Sequence, residues 1–295
     1  MTIEVVLTHW ETDRSVHETA VSAAHGAARK AVRSYVGYEE WPTSRLVRRE
    51  VARCGIALIL AFGETLDVHE GMEGQVQSLR AFVVGNQSRA TITELSGHQH
   101  GVQVELSPAA ALALFGQVGE LNNVVVPIDE TLGQWGAQLV EQLGEADTWE
   151  ARFTLLDEAF GALELRDGDG ISPEVSWLRR QLLASGGRAR IEALMDETGR
   201  SRRFVTERFR TQLGLPPKAY ARVLRFQRAV GLLGGVGDGR TLADLAIECG
   251  YYDQSHLTRD FVALAGCAPG ALMAESAGEP TVRFLQDDRM ASSVA

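Results

Sequence analysis

Apolar and polar positions recur at two different periods along this chain, and the change from one to the other falls near residue 166. Between Leu46 and Leu106 the apolar residues come in short β-rich runs (56–62, 79–84, 91–95, 102–106) separated by Gly, Asn, Ser and Asp clusters, which predicts strands. The run Val102-Gln103-Val104-Glu105-Leu106 alternates strictly, as a strand with one buried face does. Pro108 ends it, and the Ala/Leu-rich segment to Phe115 predicts a helix. Leu132, Trp135, Leu139 and Leu143, then Leu155, Leu156, Ala159, Phe160 and Leu163, follow helical spacing and predict two amphipathic helices closing this region.

The Gly/Asp-rich stretch Arg166-Asp-Gly-Asp-Gly-Ile-Ser-Pro173 predicts a linker, with Ser172 capping a helix that starts at Pro173. Everything from there to about Met273 follows a helical period, and the polar, aperiodic tail from Ala277 predicts poor order.

The helical part contains a duplication. RIEALMDETGRSRRFVTERFRTQLGLPP (190–217) and RTLADLAIECGYYDQSHLTRDFVALAGCAP (240–269) each give a short helix ending at a glycine, Gly199 or Gly250, then a polar turn and a second helix. Phe209, Gly214 and Pro217 repeat as Phe261, Gly266 and Pro269 at identical intervals, while the second copy is one residue longer between Gly and Phe. Glycine supplies the positive φ needed to leave a helix sharply. Apolar pairs, Leu194 with Val205 and Leu245 with Leu257, would lock each helix pair, so each copy reads as a helix-turn-helix unit. The segment 218–234 bridges the two.

These segments resemble the AraC-type bacterial transcription regulators over roughly residues 178–273. GYEEW, GIALILAFGETLDV and GHQHGVQVELSP in the first half are similar to sensor domains of an actinobacterial branch of that family. The resemblance implies an α+β protein. A β-rich, cupin-like or related sensor and dimerisation domain (1–166) with flanking helices would precede a linker (167–174). An all-α domain (175–276) of two helix-turn-helix units joined by a long helix would follow, then the tail (277–295).

In such units the exposed start of each second helix faces the bases. In the first, Arg203, Thr206 and Glu207 share a face by their spacing, while Arg202, Arg208 and Arg210 reach toward phosphates. The family often has Arg where Glu207 stands. In the second, Asp253 would cap the helix, and Gln254, Ser255, His256, Thr258 and Arg259 follow on the outward surface, with Val262 where a basic residue is usual.

Charge sharpens this picture. The chain of 295 residues has a net charge of −10, which taken whole argues against nucleic acid. Yet residues 172–277 hold 15 Lys+Arg against 11 Asp+Glu, and 179–228 hold 13 against 4, so the basic block coincides with the repeat. Hydrophobic residues at 45% and charged residues at 23% exclude a disordered chain, and no run is long enough for a membrane span. No secretory leader is read at the start. Three widely spaced cysteines (Cys54, Cys249, Cys267) without CxxC fit a reducing cytoplasm and argue against a structural zinc site.

His98-Gln99-His100 followed by Glu105 resembles a fragment of metal-binding cupins, and two His at i, i+2 on a strand project to one face. No second cupin motif follows. His98 and His100 are therefore read as a buried pair, either hydrogen-bonded histidines of a solid core or polar anchors of a small organic effector in a cavity bounded by 97–106 and 56–62, and no metal or other cofactor is expected. No G-x-S-x-G, P-loop or G-x-G-x-x-G occurs, and Cys54 lacks the motif of DNA-alkylation repair proteins, so no enzyme is expected. The expected partners are double-stranded DNA, RNA polymerase, an effector and a second copy in a homodimer. Two other readings stand beside the regulator: a cupin-like enzyme with a helical accessory domain, and an adaptor that has lost DNA binding.

Overall fold

A computed structural model describes residues 4–12, 14–165, 170–234, 236 and 239–276. Part of the expected linker (167–169) and the whole tail 277–295 lie outside the described residues.

The first half is built from β1 (Val6–Glu11), β2 (Ser15–Ala23), a 3-10 turn (Gly26–Lys30), β3 (Val32–Pro42), β4 (Leu46–Glu50), β5 (Ala57–Ala61), β6 (Leu66–His69), β7 (Val76–Leu79), β8 (Ala81–Val84), β9 (Thr91–Leu95) and β10 (Gln99–Leu106). Then come α1 (Pro108–Phe115), a second 3-10 turn (Val118–Leu121), β11 (Val125–Pro127), α2 (Ile128–Glu145) and α3 (Trp149–Gly161). The strands form two antiparallel sheets, one ordered β1-β2-β3-β10-β5-β8-β11 and the other β4-β9-β6-β7. The four runs expected from sequence are β5, β8, β9 and β10, with the run at 79–84 broken at Arg80 between β7 and β8.

The larger sheet has two unlike faces. On one, Tyr35, Leu58, Leu60, Val83, Val102 and Val104 are buried against Leu139, Leu143, Trp149, Phe153 and Leu156 of α2 and α3. Gly37 is required there, because any Cβ would overlap the Trp149 ring. On the other, Tyr38, Glu40, Ile59, Phe82, Gln99 and Gln103 look across a cavity at the smaller sheet. The helix α2 is interrupted at Gly133, whose φ of 56° only glycine adopts easily.

The second half contains α4 (Pro173–Ala184), α5 (Ile191–Glu197), α6 (Arg202–Leu213), α7 (Pro217–Leu233), α8 (Leu242–Glu248), α9 (Gln254–Ala265) and α10 (Pro269–Ser276). Ser172 stands at the N-cap of α4, but its side chain does not cap. Its amide and hydroxyl donate instead to Gln212 Oε1 (3.0 and 3.2 Å), tying the start of α4 to the end of α6. One core joins α4, α5, α6 and the start of α7 around Leu178, Val205 and Phe209. A second joins the rest of α7 to α8, α9 and α10 around Phe226, Leu257 and Phe261. The second core also contains Val51 and Ala52 from the β-rich half. Among the described residues no helix is long and apolar enough to cross a membrane.

Candidate nucleic-acid interface and ligand cavity

The repeat seen in the sequence is a repeat in space. Gly199 and Gly250 have φ of 67° and 81° and release α5 and α8 into their turns. Ser201 accepts from the Phe204 amide and Asp253 from the His256 amide (2.7 Å), so both second helices are capped. Gly214 and Gly266 close them with φ of 83° and 72°, and Pro217 and Pro269 start the next helices. Phe209 lies edge-on to Tyr220 (5.4 Å between ring centroids), as Phe261 lies to Phe226 (5.0 Å).

On α6, Arg202, Arg203, Glu207, Arg208 and Arg210 are exposed and Thr206 is half-buried; on α9, Gln254, Ser255 and Arg259 are exposed and His256 and Thr258 half-buried. Arg203 and Arg210 carry no ion pair among the described residues. Arg202, expected at a phosphate, is paired within the protein: its guanidinium makes two hydrogen bonds to Asp196 (2.8 and 2.6 Å), at the end of α5. Periodicity along α6 alone missed this, because the partner sits on the preceding helix. The sequence reading also missed Phe204. It is exposed on α6 with the guanidinium groups of Arg200 and Arg208 over its ring at 5.8 and 5.6 Å. Tyr252, in the turn before α9, is 87% exposed and was not singled out either.

The β-rich half grips the closing ends of both second helices. Asn86 Nδ2 donates to the Leu213 carbonyl (3.0 Å) and Asn122 Nδ2 to that of Gly214 (2.7 Å). The Ala52 amide donates to the Leu264 carbonyl (3.0 Å) and Arg49 Nη1 to that of Ala265 (3.0 Å), while the remaining Arg49 nitrogens hold Glu275 of α10. These are carbonyls that a helix C-terminus leaves unsatisfied.

Segment 48–53 has an opposite face. Arg48, Glu50, Val51 and Arg53 line a cavity of about 110 Å³ between the two sheets, together with Tyr38, Glu40, Ile59, Phe82, Gln99 and Gln103. A second hollow of about 200 Å³ shares Val68, Gln87, Thr91 and Val125 with it. Glu40 and Arg48 form a buried bidentate pair, joined by Ser15 (3.0 Å) and His17 (3.3 Å). Arg53 gives one nitrogen to Glu105, leaving Nε and Nη1 buried with no hydrogen-bond partner among the described residues. Burial pushes the Glu50 carboxyl above the usual range.

His98 and His100 do not line this cavity. Strand β10 does bound it, but through Gln99 and Gln103, and the two histidines project from the opposite face toward Trp149 and Glu39. The period of two that put both on one face was right; which face met the cavity was not legible. Burial, with the nearby charges of Arg152 and His98, pushes His100 down to about 4. Glu105 lies on the cavity face instead, paired with Arg53 and Gln103. Burial pushes all three thiols up, away from the reactive thiolate form.

A family model described as a helix-turn-helix domain matches residues 194–275. No curated protein matches the chain. Among solved structures the chain is similar to ToxT from Vibrio cholerae at 9% identity, with 89% of this chain and 98% of that one covered and a TM-score of 0.41. It is similar to ToxT from Vibrio cholerae bound to (E)-4-(8-methylnaphthalen-1-yl)but-3-enoic acid at 9% identity, with 89% and 99% covered and a TM-score of 0.42. For the AraC-like transcriptional activator CuxR the identity is 14%, the coverage 83% and 86%, and the TM-score 0.24.

Proposed function

The chain carries an AraC-type helix-turn-helix domain at its C-terminus, and we propose that it is a sequence-specific transcription regulator of the cytoplasm, not an enzyme, whose β-rich half binds a small organic effector. The observation that carries this is the pair of capped second helices, α6 and α9, each with its polar N-terminal half exposed and its C-terminal end buried. Arg203, Thr206 and Glu207 on α6, and Gln254, Ser255, His256, Thr258 and Arg259 on α9, would read base edges in successive major grooves, about 34 Å apart along the duplex. Arg208 and Arg210 would neutralise phosphates, and Arg202 would join them on leaving Asp196. RNA polymerase and a second copy of the chain are the protein partners of this reading.

The effector belongs in the inter-sheet cavity. Its walls combine Ile59, Phe82, Val84 and Leu95 with the two unpartnered Arg53 nitrogens, which suits a mostly apolar molecule carrying one hydrogen-bond acceptor such as a carboxylate or carbonyl. Such a molecule changes DNA affinity only through differential affinity for two conformations. Segment 48–53 is the element it would bias, since one face lines the cavity and the other holds α9 and α10.

Binding of the full chain to duplexes selected from a random library tests the reading. The expected result is a preferred sequence, with log affinity falling by about 0.9 per phosphate contact per decade of salt. The full chain is the right material, because residues 172–277 alone would lack Val51 and Ala52 from the second core. Absence of any selected sequence at low salt would overturn the proposal.

A further inference from the structure

The helix-facing side of the larger sheet carries a cluster that DNA binding and the effector cavity do not use. His100 projects from β10 and His98 from the position just before it, and Glu39 stands directly across from His100 in the β10–β3 register. We propose that Glu39, His98 and His100 bind one divalent first-row metal ion of the zinc class, with a coordination position left open to water.

The geometry is that of converging donors. One donor atom from each residue lies within 4.8 Å of the other two. Glu39 Oε1 is 2.9 Å from His98 Nε2, and Glu39 Oε2 is 3.7 Å from His100 Nε2. Ligands at about 2.0–2.2 Å around a tetrahedral ion stand roughly 3.4 Å apart, so these spacings bracket what such an ion requires. His100 Nε2 is buried and has no hydrogen-bond partner among the described residues, the Glu39 oxygen being too distant for one. An ion among the three donors would satisfy that nitrogen.

The third ligand explains why no such site is legible from local spacing. The H-x-H fragment directs attention to Glu105, which by strand alternation lies on the other face, paired with Arg53. The carboxylate that converges comes from 59 residues upstream of His98, through strand pairing. Two imidazoles and one carboxylate suit zinc and its neighbours, while calcium and magnesium prefer oxygen donors throughout. Trp41 stacks on His98 at 5.2 Å and Trp149 meets His100 edge-on at 5.3 Å, holding both rings in place. Arg152 brings a positive charge to this neighbourhood, but Glu18, paired in register with Glu39 on the adjacent strand, opposes it.

The test uses the untagged full chain, stripped with a chelator and titrated calorimetrically with zinc chloride alone. One equivalent should bind, and Glu39→Gln, His98→Gln and His100→Gln should each weaken binding by roughly tenfold or more, since even groups behind metal ligands are worth that much. Each variant should keep the wild-type circular dichroism spectrum. Cobalt(II) loaded in place of zinc should show no thiolate charge-transfer band. Absence of stoichiometric zinc uptake by the wild type would overturn the proposal. So would uptake undiminished in the His98→Gln/His100→Gln double variant, or a thiolate band assigning the metal to Cys54, Cys249 or Cys267.

Discussion

The two halves of the molecule bury different chemistry. In the helical half Leu178, Val205, Phe209, Phe226, Leu257 and Phe261 are fully enclosed, and the buried polar exceptions among the described residues are Gln212 and Asp260. In the β-rich half Ser15, His17, Glu40, Arg48, Arg53, Gln99 and Gln103 are buried. An apolar core is held by volume and packing and tolerates no gap. A polar interior is held by pairing, and where pairing is incomplete, as at Arg53, a ligand has something to complete. The helical half therefore suits a rigid reading head, and the β-rich half an element whose state depends on what it holds.

The largest expected effects test that contrast directly. Phe209→Ala and Phe261→Ala should each destabilise the protein by about 3–5 kcal/mol, measured by denaturant unfolding, because each leaves a cavity in an apolar core. Glu40→Ala should cost a similar amount, about 3–5 kcal/mol, by removing the carboxylate that pairs with the buried Arg48 charge. The two losses differ in their remedy. Replacing Glu40 and Arg48 together by Leu and Met should restore most of the stability, since a buried ion pair adds little over apolar residues of similar size. A double variant no more stable than Glu40→Ala would break the contrast.

Effects on the surface of the helical half should be smaller and confined to DNA. Arg203→Ala and Arg259→Ala should each weaken binding to the preferred site by about 1–3 kcal/mol and relax its sequence preference, whereas Arg210→Ala should weaken all duplexes alike. Unfolding midpoints should stay at the wild-type value, because all three side chains are exposed. Sequence preference untouched in both Arg203→Ala and Arg259→Ala would remove these residues from the reading face.

The same contrast explains what the sequence disclosed. The helical half announces itself because its buried positions are apolar and its turns carry Gly199, Gly214, Gly250 and Gly266, each with positive φ. Strands β2 and β3 went unread because several of their buried positions are Ser15, His17, Thr19, Ser34 and Glu40, so the usual alternation is inverted. Helix α9's polar surface was legible from spacing and its cap from Asp253. The Asp196–Arg202 pair, the grip of Asn86, Asn122 and Arg49 on the helix ends, and the approach of Glu39 to the histidines were not. Each joins residues from different elements, and no local period carries that information.

The last expectation is the gentlest and distinguishes the halves by acid. In the metal-free protein His100 is held neutral, its pKa pushed down to about 4 by burial and by Arg152 and His98, and burial lowers that of His17 too. In the unfolded chain both titrate near 6.5. Below that pH the unfolded state binds more protons than the native state, so stability falls as pH falls. His100 alone contributes a slope of up to about 1.4 kcal/mol per pH unit until about pH 4, where the native imidazole also takes up a proton. Glu50, raised by burial, acts in the opposite sense: it favours the folded state at acid pH and loses that contribution as pH rises above the usual glutamate range. In the helical half the lowered carboxylates of Glu192, Asp196 and Asp244 lie at the surface, Glu192 half-buried and the other two exposed, and act only in stronger acid. Acidification from pH 7 to 5 should therefore loosen the β-rich half first. Denaturant unfolding across that range, followed by tryptophan fluorescence, should show stability falling with pH in the wild type and a shallower dependence in His100→Gln. An unchanged slope in the variant would mean that the acid sensitivity resides elsewhere, with the buried His17–Glu40–Arg48 group as the next site to alter.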